Sequence, residues 1–301
     1  MKTLLVTGAS GFVGTWATRL FAEHPQWGFR PLALPPVDLR DADAVVAALA
    51  GQLPDAVLHL AAQSFVPRSF EAPVETFEIN LLGTLNLLQA LQQRGFTGRF
   101  LYVSSGDVYG RVPEAELPVG PGRVPEPRSP YAVSKIAAEQ LCLQCWRSEN
   151  LDALVARPFN HIGPGQDPRF VVPSLAQQLR AIAAGRQPPV IEAGDIDTTR
   201  DFLDVRDVVA AYASLLRAGR AGQIYTIGSG VERRVRDLLD LMCAQLGIRV
   251  EVRQDPARMR PAEQRRMVAD ASLLKEHTGW SPAFSIEHTL RDILQSTEPS
   301  P

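Results

Sequence analysis

Apolar and polar positions along the chain follow two alternating rhythms. Short apolar runs, "KTLLVTG" (2–8), "RPLAL" (30–34), "DAVLHLAA" (55–62), "RFLYVSSG" (99–106) and "DALVARPFN" (152–160), read as buried strands. Longer amphipathic stretches lie between them: "GFVGTWATRLFAEH" (11–24), "DADAVVAALAG" (41–51), "PVETFEINLLGTLNLLQALQQRG" (73–95) and "SPYAVSKIAAEQLCLQCWRSEN" (129–150). Strands of this kind separated by helices of ten or more residues predict a parallel sheet covered on both faces. The expected fold is a doubly wound α/β domain.

From about Phe159 the rhythm loosens. "HIGPGQDPRF" and "EAGDIDTTRDF" read as loops, with the helices "VPSLAQQLRAIAAG" and "VRDLLDLMCAQLG" between them. The reading is one doubly wound domain over 1–158 and a smaller, mixed α/β domain over 159–301. Residues 200–228, with the helix "DVRDVVAAYASLLRAG" and the strand "GQIYTIGSG", are expected to return to the first domain. "VPEAELPVGPGRVPEPRSP" (112–130) is rich in proline and glycine and reads as a loop or lid.

Composition narrows the function classes. Hydrophobic residues at 45% and charged residues at 21% fit an ordinary globular protein with a large core. A net charge of -2 gives no field that would gather nucleic acid or an anionic membrane. The opening "MKTLLVTG" is too short an apolar run for a signal peptide or a spanning helix, so cytoplasmic is the default. Cys142 and Cys145 form a C-x-x-C, but within a helical pattern and without a second pair to complete a zinc site. The five histidines lack ligand spacing, and no metal is expected.

Gly8, Gly11 and Gly14 in "VTGASGFVG" stand between the first strand and the first helix. Glycines there allow a tight turn, close approach to a pyrophosphate and tight helix packing, and the helix N-terminus offers N–H groups to phosphates. The spacing predicts a dinucleotide site. An acid at the end of the second strand would receive the ribose of NAD, but Pro35 and Pro36 stand there; Asp38 comes later and borders the adenine. With no acid to repel a 2′-phosphate, NADPH is expected, with NADH as the alternative. Arg30 and Arg40 are the cations at hand.

Tyr131 and Lys135 are four apart in a helical pattern and share a face. With five tyrosines and three lysines in the chain, chance supplies about 0.05 such pairs. An ammonium beside a phenol stabilises phenolate and draws the tyrosine toward a working range, so that it exchanges a proton with a carbonyl oxygen. Ser105, in "YVSSGDVYG", ends the preceding strand at the edge where doubly wound sheets bind ligands. Its hydroxyl suits the same carbonyl.

These residues resemble the extended short-chain dehydrogenase/reductases acting on nucleotide sugars, over nearly the whole chain. The marks are "TGASGFVG", "HLAAQS", "NLLGTLNLL", "SSGDVYG", "SPYAVSK", "RPFNHIGPGQ", "RDFLDVRDV" and "GWSP". The resemblance implies a Rossmann domain with Ser105, Tyr131 and Lys135 catalytic. It implies that Gly8, Gly11, Phe12, Val13, Gly14, Asp38, Leu39, Leu60, Ala61, Ala62, Asn80 and Pro158 meet the cofactor, with Tyr131 and Lys135. It implies substrate contacts from Ser64, Ser105, Asp107, Asn160 and Arg200. Arg260 and Glu263, in "RPAE", look like the segment gripping diphosphate and ribose in the GDP-mannose branch.

Dehydratases of that branch carry an acid and a base directly after the serine or threonine, because loss of water needs one group to give a proton and another to take one. Here Gly106 and Asp107 follow Ser105, and glycine has no proton to give. The expected activity is therefore NAD(P)H-dependent reduction of the C4 ketone of GDP-4-keto-6-deoxy-D-mannose to GDP-D-rhamnose. The alternatives are a GDP-mannose 4,6-dehydratase, a UDP-sugar 4-epimerase, and a catalytically silent NADP-binding sensor. The helices over 76–93 and 131–146 carry more apolar surface than one sheet face needs, and relatives pair them in a four-helix homodimer interface.

Overall fold

The computed structural model describes residues 1–33, 35–255 and 264–296. The main sheet holds β1 (Lys2–Thr7), β2 (Phe29–Leu32), β3 (Ala56–His59), β4 (Arg99–Val103), β5 (Asp152–Pro158) and β9 (Ile224–Ile227). All pair parallel, in the order β2-β1-β3-β4-β5-β9. The chain steps outward from β1 to β2, then returns to place β3 on the other side of β1. That reversal opens a crevice at the carboxyl ends of β1 and β3, where such sheets bind ligands.

Alternation along each strand feeds two layers. Leu4 and Val6 of β1 point into one core with α1 (Phe12–Glu23) and α8 (Val205–Ala218), while Leu5 points into the other. The second core is closed by α2 (Ala42–Ala48), α5 (Gly83–Gln93) and α6 (Pro130–Glu149). Burial on both faces explains why the strands read as continuous apolar runs. Cys142 and Cys145 are free thiols buried in this second layer.

The stretch 73–95 is helical throughout but not uniform. After the short α3 (Val66–Glu71), α4 (Pro73–Phe77) passes through a π-helical turn, Glu78–Leu82, into α5. Such turns inside helices mark functional sites, and Asn80 lies in this one. α6 begins where expected: the Ser129 hydroxyl accepts from Ala132 N–H at 3.1 Å, and Pro130 takes the first turn, where its missing N–H costs nothing.

The smaller domain has its own core, built on Leu175, Phe202, Leu238 and Leu290. It holds a sheet of β6 (Asn160–Ile162), β8 (Thr199–Asp204) and β10 (Glu232–Arg234), a pair of β7 (Val190–Ala193) and β11 (Glu251–Gln254), and α7 (Val171–Ala183), α9 (Val235–Leu246) and α11 (Ile286–Gln295). Of the stretch 200–228, α8 packs on the main sheet and β9 joins it beside β5, whereas β8 pairs with β6 and β10. The aspartates of "RDFLDVRDV" explain the placement. Asp201 is wholly buried and accepts from Ser229 N–H and hydroxyl, Gly230 N–H and Ala269 N–H at 2.6–3.1 Å. Asp204 caps α8 and grips Arg206, and Asp207 accepts from Ala283 and Phe284 N–H at 2.9 and 3.0 Å.

The loop over 112–130 is a fixed strap rather than a lid. Gln264 exchanges two bonds with the Val112 backbone, Val119 N–H donates to Val268 O at 2.8 Å, and Asp270 N–H donates to Val119 O at 2.8 Å. Arg266 pairs with Glu114 and with Glu232 of β10. A loop with its backbone groups spent in this way has no free hinge.

Candidate active site

The glycine turn sits in the crevice. Gly8 has φ +68°, and a Cβ there would lie 2.8 Å from Ala61 N, so only glycine lets the turn touch the Leu60–Ala62 segment after β3. A Cβ on Gly14 would fall onto the Gly8 carbonyl. Gly11 caps α1 without a side-chain partner, leaving the first-turn N–H groups of Phe12, Val13 and Gly14 directed at the crevice. These features fit a pyrophosphate.

One buried hydrogen-bond line supports that turn and was not legible in the sequence. His59 Nδ1 meets the Thr7 hydroxyl at 2.6 Å and Nε2 meets the Thr84 hydroxyl at 2.9 Å. Thr84 donates to Asn80 O, so it accepts from His59 Nε2–H, and Nδ1 accepts from Thr7. Burial, and then the Lys135 charge, bring His59 down to about 3, so it stays neutral. Thr7 accepts in turn from Ala61 N–H at 3.2 Å.

Asn80, expected beside the cofactor, is buried in the π turn. Its Oδ1 accepts from Gln63 N–H at 2.8 Å, and its Nδ2 donates to Gln63 O and the Ser134 hydroxyl at 3.1 and 2.9 Å. It ties the loop after β3 to α6. Ser64, next in that loop, is exposed.

Beyond β2, Asp38 turns to Arg40: the guanidinium meets its carboxylate at 2.6–3.0 Å and holds it below the ordinary range. Leu39 packs on Gly83, and Asn86 donates to the Leu39 and Arg40 carbonyls. Arg40 is thus engaged with Asp38, while Arg30 is exposed on β2.

At the far side of the crevice, Ser105 and Tyr131 come together, close enough for the serine hydroxyl to pull the phenol's pKa down. Ser105 also accepts from Asp107 N–H at 3.1 Å, capping the 3₁₀ turn Gly106–Tyr109. Burial pushes Tyr131 above the ordinary tyrosine range, the Asp107 carboxylate adds to the rise, and the Ser105 hydrogen bond opposes it. The expectation that Lys135 draws the phenol down is therefore reversed in the folded chain: burial wins. Tyr131 is a protonated store at neutral pH.

Lys135 is 3% exposed, donates to Val103 O at 2.7 Å, and lies 4.9 Å over the Tyr102 ring. Burial lowers it to about 8, against the pull of Glu139 one turn on. Gly106 is sealed: a Cβ there would lie 2.9 Å from the Phe159 ring, which packs beside Tyr109. Pro158 ends β5, and Asn160 is exposed at the start of β6. Arg200, half-buried on β8, donates to the Thr199 and Arg265 carbonyls. Arg260 and Glu263 lie outside the described residues.

This geometry is shared with known proteins. The family model described as GDP-mannose 4,6 dehydratase matches residues 24–293. The chain is 51% identical over 298 residues to the GDP-6-deoxy-D-mannose reductase of Pseudomonas aeruginosa, covering 99% of this chain and 97% of that one. The structure of RMD from Pseudomonas aeruginosa complexed with NADPH superposes with a TM-score of 0.94 at 48% identity, covering 98% of each chain. The UDP-glucose 4-epimerase of Thermus thermophilus, in complex with NAD, gives 0.84 at 33% identity over 97% of each.

Proposed function

Because the chain belongs to the GDP-mannose 4,6-dehydratase family of extended short-chain dehydrogenase/reductases, we propose that it reduces the C4 ketone of GDP-4-keto-6-deoxy-D-mannose to GDP-D-rhamnose with NADPH. The observation that carries this is the Ser105–Gly106 turn. Its hydroxyl stands beside the Tyr131 phenol, and its glycine lies under the Phe159 ring. That arrangement offers a proton and an orienting hydroxyl to one ketone. It offers no donor side chain at position 106, which argues against the dehydratase alternative. The likeness of the chain to the Pseudomonas aeruginosa reductase, in sequence and in structure, argues against the epimerase, and the presence of Ser105, Tyr131 and Lys135 together argues against a silent sensor.

NADPH, when bound, supplies the hydride to C4. The glycine turn and the N–H groups of Phe12, Val13 and Gly14 would hold its pyrophosphate, and Lys135 its nicotinamide ribose. Ser105 bonds the ketone oxygen, and Tyr131 gives it a proton as charge develops there. An alkoxide is a strong base, so a tyrosine held protonated by burial remains a competent donor. Residues 1–158 with α8 and β9 would hold the dinucleotide, and the smaller domain the GDP-sugar through Asn160 and Arg200. The test is loss of NADPH absorbance with the keto-sugar beside a control given GDP-mannose. Oxidation with the keto-sugar alone is expected; consumption of GDP-mannose would overturn the reading.

Among the described residues no helix is long and apolar enough to cross a membrane. The reading implies work in the cytoplasm, where reduced nicotinamide nucleotide is maintained. It also implies a homodimer through α5 and α6. Val74, Leu82, Val133 and Trp146, on α4, the π turn and α6, are large apolar side chains left 37–69% exposed. Large apolar side chains left exposed on these neighbouring helices support an interface there. Light scattering should give a dimer mass for the protein and a monomer mass for Leu82→Asp/Val133→Asp.

A further inference from the structure

One buried group of α6 takes no part in the chemistry above. Glu139 is wholly buried one turn beyond Lys135 and so shares its face of the helix. Its carboxylate accepts from Arg157 Nε and Nη2 at 2.9 and 2.6 Å. Arg157, near the end of β5, is 2% exposed and lies 4.9 Å over the Tyr109 ring. The carboxylate thus sits between two buried cations: Lys135 one turn back on α6 and Arg157 on β5.

A buried ammonium needs more than one carbonyl to offset its lost hydration. The groups facing Lys135 are the Tyr102 ring and Val103 carbonyl on β4, the neutral His59 at the end of β3, and Glu139 and the Cys142 thiol on α6. Glu139 is the carboxylate among them. Arg157 fixes its direction, because a bidentate pair leaves the carboxylate one orientation.

We propose that Glu139, aimed by Arg157, is a positioning residue that keeps Lys135 charged, and thereby able to hold the reduced nicotinamide nucleotide. The proposal rests on the reductase reading for its meaning but not for its measurement. Packing alone would be served as well by two apolar side chains, since replacing a buried ion pair by groups of similar volume leaves many folds as stable or more so. That makes the electrostatic and the packing roles separable.

The experiment is a fluorescence titration of NADPH binding between pH 6 and 9.5, without sugar, beside thermal unfolding. In the unaltered protein affinity should fall as Lys135 loses its proton near 8. Glu139→Leu/Arg157→Met removes both charges and keeps the volume. It should unfold at or above the temperature of the unaltered protein, yet lose affinity at least one pH unit earlier, so that binding at pH 7.5 weakens at least about threefold. Glu139→Gln, which keeps a hydrogen bond to Arg157, should shift the same way, and Glu139→Asp, which keeps the charge, should return the fall to near 8. A double variant of normal stability whose affinity falls where the unaltered protein's does would overturn the proposal. If the double variant does not fold, Glu139→Gln decides between the same two outcomes. Because NADPH alone is the probe, failure of the keto-sugar to react would leave this result standing.

Discussion

Tyr131→Phe should lower turnover of the keto-sugar by about 10²–10⁴-fold, the usual worth of a placed proton donor, while NADPH binds as before. The ring is buried and the substitution keeps it, so the packing of α6 on the sheet is not at issue. What goes is one hydroxyl, the partner of Ser105. The ketone oxygen would then have to take its proton from water. Steady-state kinetics and a fluorescence titration of NADPH on the same preparation check this. A variant that keeps more than a tenth of the turnover would mean that another group gives the proton. A variant that also loses the nucleotide would mean that Tyr131 is first a binding residue. The neighbouring carboxylate sharpens the expectation: Asp107 raises Tyr131 and would raise it less once protonated, so the acid form is the ground state across the neutral range.

The order of strands and helices was legible because burial on both faces writes each strand as an apolar run and each helix as an amphipathic one. The glycine turn was legible because only glycine fits at Gly8 and Gly14, so geometry is stamped on residue type. Tyr131 and Lys135 were legible because four residues on a helix is a contact. What sequence hid is contact between distant elements. Nothing in "HLAAQS" says that His59 bridges Thr7 and Thr84, 52 and 25 residues away. In "RDFLDVRDV" the sequence singled out Arg200 and was silent on the aspartates, which are structural anchors, a role that needs Ser229, Ala269 and Ala283 in place before it can be seen. Proline and glycine between 112 and 130 said loop, and could not say strap, because the partners lie near 264–270. Burial also reversed an expected sign. Adjacent charges shift a tyrosine only after the cost of desolvation is counted, and that cost is a property of the fold, not of the spacing.

Lys135→Met should abolish most turnover and leave the protein no less stable. The folded chain lowers Lys135 from 10.5 to about 8 because the charged form is buried. At pH 7 the ammonium is charged in both folded and unfolded chains, and the folded one bears a penalty of about 3 kcal/mol. Between pH 8 and 10.5 the unfolded chain binds more protons than the folded one, so stability rises with pH across that window and the penalty is fully relieved above it. Methionine fills the volume of the lysine stem without the charge. Against the gain stands the Val103 carbonyl, which loses a partner at a cost of about 1–3 kcal/mol. The balance at pH 7 is near zero or favourable, while turnover should fall at least about 10²-fold, as the cation proposed to hold the nicotinamide ribose is lost. Thermal unfolding across pH 6–10.5 checks the sign: the variant should compare best with the unaltered protein below pH 8 and lose that advantage as pH rises. If Lys135→Met is instead much less stable at pH 7, the ammonium is holding the fold together and its burial is not a strain kept for catalysis. Stability retained with activity gone would show that this buried cation is tolerated for what it does to the nucleotide.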